Sequence, residues 1–379
     1  MMPRTIIRFD RVSKVFPGGT RAVDDVSFEI FDGECVTFVG PSGCGKTTTV
    51  KLLNRLVEPT AGRIYLNGED TAQTDVIALR RSIGYVIQDV GLFPHMTVAQ
   101  NIALVPRLQG WSESKRNERT EELLNLVGLD PAAFRDRYPH QLSGGQKQRI
   151  GVARGLAADP PVILMDEPFG ALDPITRAQL QDEFLRLRVR LKKVILFVTH
   201  DMDEAIKLGD RIAVMRSGKI VQLDTPRKIL REPAEPFVRD MVGREGGIKL
   251  MKLLRIADIM DPADGMTIPA DRLSEGERRM AGSGQDILLV VDPEGRFQGT
   301  LSYEQVMQRD RFCEETLFDR TCPSAETGDE VGATLEAMLR RKRVWLPVVG
   351  EDRKLRGVVT MTHFACFFTA GDAPSGETS

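Results

Sequence analysis

The sequence is poor in the features that would place a protein outside the cell or inside a membrane. Only five of its 379 residues are cysteine: Cys35, Cys44, Cys313, Cys322 and Cys366. They are odd in number, scattered, and form no C-x-x-C pair. Neither a disulfide framework nor a zinc module fits that pattern, and a reducing compartment does. No apolar run approaches the roughly 18 residues that mark a membrane span. Nothing apolar follows the opening Met1-Met2-Pro3-Arg4-Thr5, so no secretory leader is expected. A basic excess is missing too. The 52 Lys and Arg against 54 Asp and Glu leave a net charge of −2, whereas a general nucleic-acid binder is basic. What remains is ordinary for globular protein, 41% hydrophobic and 28% charged, and the length predicts two domains rather than one.

Against that background one stretch organises the chain. Residues 40–47 read Gly40-Pro41-Ser42-Gly43-Cys44-Gly45-Lys46-Thr47, the G-x-x-x-x-G-K-[ST] pattern of a phosphate-binding loop. The apolar run before it predicts a buried strand. Thr47-Thr48-Thr49-Val50 after it can open a helix. Glycines let backbone N–H groups close around phosphate, and a helix N-terminus adds partial positive charge. Lys46 supplies a point charge for the outer phosphates, and the Thr47 hydroxyl suits Mg²⁺. Cys44 reads as a small filler.

Residues 4–30 alternate apolar and polar around the turn Pro17-Gly18-Gly19, which predicts a β-rich lobe. Phe16, just before that turn, reads equally as an aromatic stacked on adenine or as a core residue. Asn67-Gly68 signals a hairpin. Ile83 to Ile87 predicts a strand ending at Gln88, and residues 96–137 read as mostly helical, with Gly128 as a cap. Ser143 can cap a helix behind Gly144-Gly145-Gln146, where a phosphate can approach backbone N–H groups. Val162 to Met165 predicts a buried strand that delivers Asp166 and Glu167 at its C-terminal end, the end at which α/β sheets bind ligands. Asp166 suits Mg²⁺, and Glu167 suits a general base on water. Asp173-Pro174 starts a helix with one apolar stripe, Leu180, Phe184, Leu187 and Leu191. Val194 to Val198 predicts the next buried strand, ending at Thr199-His200. Of the four histidines, only His200 stands at such a strand end, where it suits a phosphate contact.

In combination these stretches resemble the nucleotide-binding subunit of ABC transporters. The carriers are GPSGCGKT at 40–47, Gln88, LSGGQ at 142–146, VILMDE at 162–167, ALD at 171–173 and His200, in the family's order over about residues 4–240. The resemblance implies an α/β P-loop NTPase domain with a RecA-like core, a β-rich lobe and a helical lobe, and ATP and Mg²⁺ as ligands. By resemblance, residues 40–48, Thr48 included, hold phosphates and Phe16 stacks on adenine. Thr47, Gln88 and Asp166 attend the metal, and Gln88 also senses the attacking water. Glu167 is the base and His200 holds the γ-phosphate. Ser143, Gly144, Gly145 and Gln146 would meet ATP bound to a second copy, and Asp173 would cross that interface. One phosphate loop and one LSGGQ per chain imply a head-to-tail dimer.

The wording at 53–64 and 84–111 is similar to ATPases of glycine betaine, choline and carnitine importers. That implies integral permease subunits as partners, indirectly a solute-binding protein, and a peripheral position on the cytoplasmic face of the plasma membrane. No nucleic-acid partner is expected. A soluble ABC ATPase of DNA repair or translation, or an importer for another small solute, is the alternative.

Residues 241–252 have the glycine content of a linker. Beyond them, residues 290–299 are echoed at 348–357, an offset of 58. Each copy reads strand, turn, strand, then Ser302 or Thr360 at a helix start. This resembles a tandem CBS module, α+β, over 253–370, followed by a disordered tail at 371–379. The ribose-binding acid of that family is replaced by Gln305 and His363. Arg340 to Arg343 reads either as an anion or membrane contact or as a basic helix end complementing its dipole.

Overall fold

The computed structural model describes residues 4–88, 91–170, 172–243, 245–284, 286–307 and 318–369. Ala171 of the ALD stretch and the expected tail at 371–379 lie outside the described residues. The chain divides into two compact units, 1–242 and 243–379.

The first unit opens on β1 (Thr5–Val15) and β2 (Arg21–Phe31), then drops into β3 (Cys35–Val39) and the helix Lys46–Leu53. It returns through β4 (Ala61–Leu66) and β5 (Glu69–Asp70) to β6 (Ile83–Val86). After a helical stretch come β7 (Val162–Asp166), β8 (Val194–Thr199), β9 (Arg211–Arg216) and β10 (Lys219–Asp224). An antiparallel sheet of order β2-β1-β4-β5 forms the β-rich lobe. Its alternation puts Ile7, Phe9 and Val12 inside, and Phe9 stacks on Phe28 with ring centroids 4.5 Å apart. Asn67 (φ +52) and Gly68 (φ +85) make the hairpin turn between β4 and β5, both left-handed as the right-handed strand twist demands.

The second sheet has order β10-β9-β3-β8-β7-β6. All its pairings are parallel except β9 with β10. Every residue of β3, β7 and β8 is buried. Strands covered on both faces read as unbroken apolar runs, which is why they were conspicuous in the sequence. A separate apolar cluster holds the helical lobe: Val98 and Ile102 meet Leu123, Leu124 and Ile150. The helix Glu113–Leu126 closes at Gly128 (φ +69), with Leu129 N–H returning to Leu124 O at 2.8 Å.

The second unit is a repeat. It contains β11 (Thr267–Pro269), β12 (Ile287–Val291), β13 (Phe297–Ser302), β14 (Ala325–Glu326), β15 (Trp345–Val349) and β16 (Leu355–Thr360). They form two three-stranded sheets, β11-β12-β13 and β14-β15-β16, each with one parallel and one antiparallel pairing. The two sheets meet at the turns: Phe297 N–H donates to Arg353 O, and Leu355 N–H to Gly295 O.

The linker expectation is corrected. Residues 241–252 are largely helical: Pro236–Val242 ends the first unit, and Gly246–Leu253 opens the second. Val238 and Val242 are buried with Ile229, and Leu250 and Met251 are buried as well. Gly247 serves close packing, not flexibility, since a Cβ there would collide with the carbonyl oxygen of Phe367.

Candidate active site

Parallel strands end side by side on one edge of the core sheet. β3 runs into the phosphate loop, β8 into His200, β7 into Glu167, and β6 towards Gln88. Register fixes their level: Val39 pairs with Thr199, Asp166 with Val198, and Val86 with Met165. One sheet edge therefore collects groups from residues 40 to 200.

Gly45 makes the loop. It has φ +112, and a Cβ on it would collide with the carbonyl oxygen of Ala22. Only glycine satisfies both constraints. Lys46 is buried, and its Nζ donates to Gly40 O at 2.6 Å and to Pro41 O at 3.1 Å. Cys44 is buried beneath the loop, with Sγ 3.8 Å from Lys46 Nζ. Pro41, Ser42 and Gly43 are exposed, and Thr48 is half-buried in the first helical turn.

Thr47 Oγ1 donates to Asp166 Oδ1 at 3.0 Å. Burial pushes the Asp166 carboxyl up, the Thr47 bond opposes this, and the adjacent Glu167 charge adds to the rise. A hydroxyl and one carboxylate are hard oxygen donors of the kind Mg²⁺ takes alongside phosphate and water. Among the described residues no preassembled cluster of three or more His, Cys, Asp or Glu exists. An ion here would draw most of its other ligands from phosphate and water.

Glu167 adopts φ +47, an unusual conformation that costs a non-glycine residue of order 1–3 kcal/mol. Glu167 N–H donates to Val198 O at 3.0 Å, and Gly170 N–H to Glu167 O at 3.2 Å, which hold it there. Its Oε2 lies 3.2 Å from His200 Nδ1. The base candidate and the phosphate-contact candidate thus touch each other. Gln88 is exposed beyond β6.

Ser143 caps the helix Gly144–Leu156 in a reciprocal box: Gln146 N–H donates to Ser143 Oγ at 3.3 Å, and Ser143 N–H to Gln146 Oε1 at 3.0 Å. Asp173 caps the helix Pro174–Leu191 by accepting from Thr176 N–H at 3.0 Å, and the Thr176 side chain first and this backbone bond second hold its carboxyl below the usual range. A Cβ on Gly145 would lie 3.0 Å from Thr176 Cγ2, so these two helix starts are neighbours. Among the described residues no hydrogen bond joins either to the phosphate loop. Phe16 is half-buried, and Lys14 Nζ lies 5.3 Å from its ring centre.

Two contacts escaped the sequence reading. Arg154 Nη1 donates to Gly91 O at 2.7 Å, tying the Ser143 helix to the segment after Gln88. Glu204 is buried and accepts from Gln181. A charged residue within a helix carries no local signal that distinguishes a buried contact from a solvated face, so no pattern flags them.

The ABC transporter family model matches residues 23–170, and the CBS domain model matches residues 318–367. Over 361 residues the chain is 50% identical to the choline transport ATP-binding protein OpuBA of Bacillus subtilis, covering 94% of each chain. The chain belongs to the ABC transporter family of ATPases. The glycine betaine/carnitine/choline transport ATP-binding protein OpuCA of the same organism is 48% identical, again over 94% of both. Among solved structures the ABC ATPase is similar to a dimeric ATP-binding cassette in a post-hydrolysis state bound to ADP and Pi, at 32% identity and TM-score 0.54, over 58% of this chain and 99% of that one.

The CBS match covers only the second repeat of the C-terminal unit. The first repeat has the same strand order, and its β12 and β13 stand 58 residues before β15 and β16. Its helix is Gly276–Ser283, preceded by a 3-10 turn, where the second repeat has the longer and more apolar Val331–Arg340.

Proposed function

We propose that this ABC ATPase is the ATP-hydrolysing subunit of an importer for a quaternary-ammonium osmoprotectant of the choline, glycine betaine or carnitine class. The observation that carries the substrate class is the 50% identity to a choline transport ATP-binding protein over 94% of both chains, C-terminal unit included. The ATPase need not touch the solute.

The chemistry rests on the strand-end cluster. ATP phosphates sit against residues 40–48, with Lys46 exchanging its loop carbonyls for phosphate oxygens and Phe16 under the adenine. Thr47, Asp166 and Gln88 would hold Mg²⁺, which would neutralise phosphate charge. Glu167 takes the proton of the attacking water, and His200, already beside it, contacts the γ-phosphate. Ser143 to Gln146 and Asp173 form one patch that completes the site of a second copy.

Docking of the permease is supported by a groove of about 320 Å³ that Tyr85, Ile87, Phe93, Leu104 and Arg154 help to line. Its lining runs along β6 and continues at Ile87 and Gly91 on either side of Gln88, so an occupant would bear on the segment that carries Gln88. No helix among the described residues is long and apolar enough to cross a membrane. Attachment to the cytoplasmic face of the membrane, in this reading, comes through the permease, and a binding protein hands solute to that permease from the opposite face.

The test is ATP-driven uptake in vesicles holding this chain with its co-purified permease and binding protein. Saturable uptake of labelled choline, glycine betaine or carnitine is expected. ATP hydrolysis without uptake of any quaternary amine would overturn the substrate class. Failure to co-purify with a membrane protein would overturn the transport role.

A further inference from the structure

Behind Glu167 and His200 lies a polar layer that this mechanism does not use. Glu204, in the helix Met202–Leu208, is 6% exposed. Its Oε1 accepts from Gln181 Nε2 at 3.1 Å. Gln181 belongs to the helix that Asp173 caps. Gln181 Oε1 in turn accepts from Lys207 Nζ at 3.3 Å, and Lys207 pairs with Asp182 at 2.6 Å. One glutamine amide is therefore held at both ends by the helix that follows His200. Arg177, one turn before Gln181, donates to Leu172 O at 3.1 Å. It lines one cleft with Glu167, His200 and Glu204.

The two helices joined in this way carry two different functional ends. One starts at Asp173, and the other starts at Asp201, directly after His200. Asp201 fixes the second start by accepting from Asp203 and Glu204 N–H groups at 2.8 and 3.3 Å. Burial pushes the Glu204 carboxyl up, with bonds from Thr199 and Gln181 opposing it. An apolar residue would fill this place without that desolvation cost, and the bonds from Thr199 and Gln181 offset it here.

We propose that Glu204 is a positioning residue: through Gln181 it clamps the His200 end to the Asp173 end, fixing the γ-phosphate contact relative to the loop that crosses to the partner copy. The proposal rests on the roles given to His200 and Asp173 above. It assigns Glu204 no contact with nucleotide. Its loss should leave ATP affinity alone and misplace His200 in the closed dimer, where small displacements are costly for rate.

The experiment uses the full-length chain and measures steady-state turnover beside equilibrium ATP binding. Glu204→Ala should lower kcat by up to roughly 10²-fold, the scale of a small misplacement of a reacting group, with ATP affinity unchanged. Glu204→Gln should restore turnover, because an amide oxygen accepts the same Gln181 bond. In a His200→Ala background, Glu204→Ala should cost nothing further. If Glu204→Ala does not fold, Gln181→Leu breaks the same contact from the other side and should give the same kcat loss. Normal kcat in a folded variant that lacks the contact overturns the clamp. So does a loss that adds in full to that of His200→Ala. Wild-type turnover in His200→Ala alone would instead remove the role of His200, and the clamp with it.

Discussion

The two units use the same local grammar, a strand, a polar residue and a helix, to opposite ends. In the ATPase unit the polar residues at strand ends meet across the sheet: Thr47 reaches Asp166, and Glu167 reaches His200. In the C-terminal unit they turn back on their own helix starts. Ser302 N–H donates to Gln305 Oε1 at 2.8 Å, and Thr360 N–H to His363 Nδ1 at 2.9 Å. The cause is topological. Neighbouring parallel strands deliver several C-terminal ends to one edge, whereas β13 and β16 run antiparallel to their partners and end alone in their sheets. A polar side chain with no neighbouring strand end satisfies its own backbone. Gln305 and His363 are engaged as helix caps, and His363 Nε2 also pairs with Asp261 at 3.0 Å.

The largest expected effect breaks the cluster in the first unit. Glu167→Gln should keep ATP binding and lose roughly 10²–10⁴-fold in hydrolysis, the scale of a general base. In the same variant, light scattering should show a dimer that forms only with ATP. Turnover near wild type would take Glu167 out of the mechanism.

Next comes the tension at Asp166. Its carboxyl titrates above its ordinary range because it is buried. Between the ordinary unfolded value and the raised folded one, the folded chain holds a proton that the unfolded chain has released. That contribution to stability is present at low pH and is lost as pH rises through the raised folded value. At neutral pH the buried charge is a cost. Asp166→Asn should therefore raise the melting temperature of the nucleotide-free protein at pH 7 and at the same time abolish Mg²⁺-dependent turnover. A variant that melts lower would mean the carboxylate is structural, not poised for a metal.

A third test separates the units. A chain ending after Gly243 should melt as one cooperative unit and bind ATP. Ending it after Arg239 removes Val242, 5% exposed, and should cost about 1.5–3 kcal/mol, the worth of burying one such side chain. Equal stability of the two by urea titration would show that the last helical turn contributes nothing.

The smallest effect lies in the second unit. Ser302→Ala should cost that unit about 1 kcal/mol, the usual worth of a helix cap, without altering ATP affinity. Altered ATP affinity would mean that the cap reports to the nucleotide site.

Much of the fold was legible because the informative strands are buried on both faces and the informative turns need glycine. Val162–Asp166 and Val194–Thr199 announced themselves as apolar runs with polar ends. Residues 241–252 were misread because glycine marks close helix packing as well as flexibility, and only the approach of Phe367 to Gly247 tells the two apart. Glu204 was invisible because an acid in a first helical turn is what a solvent-exposed helix also carries.

The sequence by itself determined the order of the phosphate loop, the Ser143 cap, the paired carboxylates and His200, and the repeat of 58 residues, since these are properties of neighbours along the chain. Tertiary structure alone decided that Thr47 meets Asp166 over 119 positions and that Glu204 meets Gln181 over 23. It also decided that Gln305 and His363 cap their own helices. The physical reason is that a polar side chain takes whatever partner its backbone neighbourhood brings within about 3 Å, and strand order, which no local pattern encodes, chooses that neighbourhood.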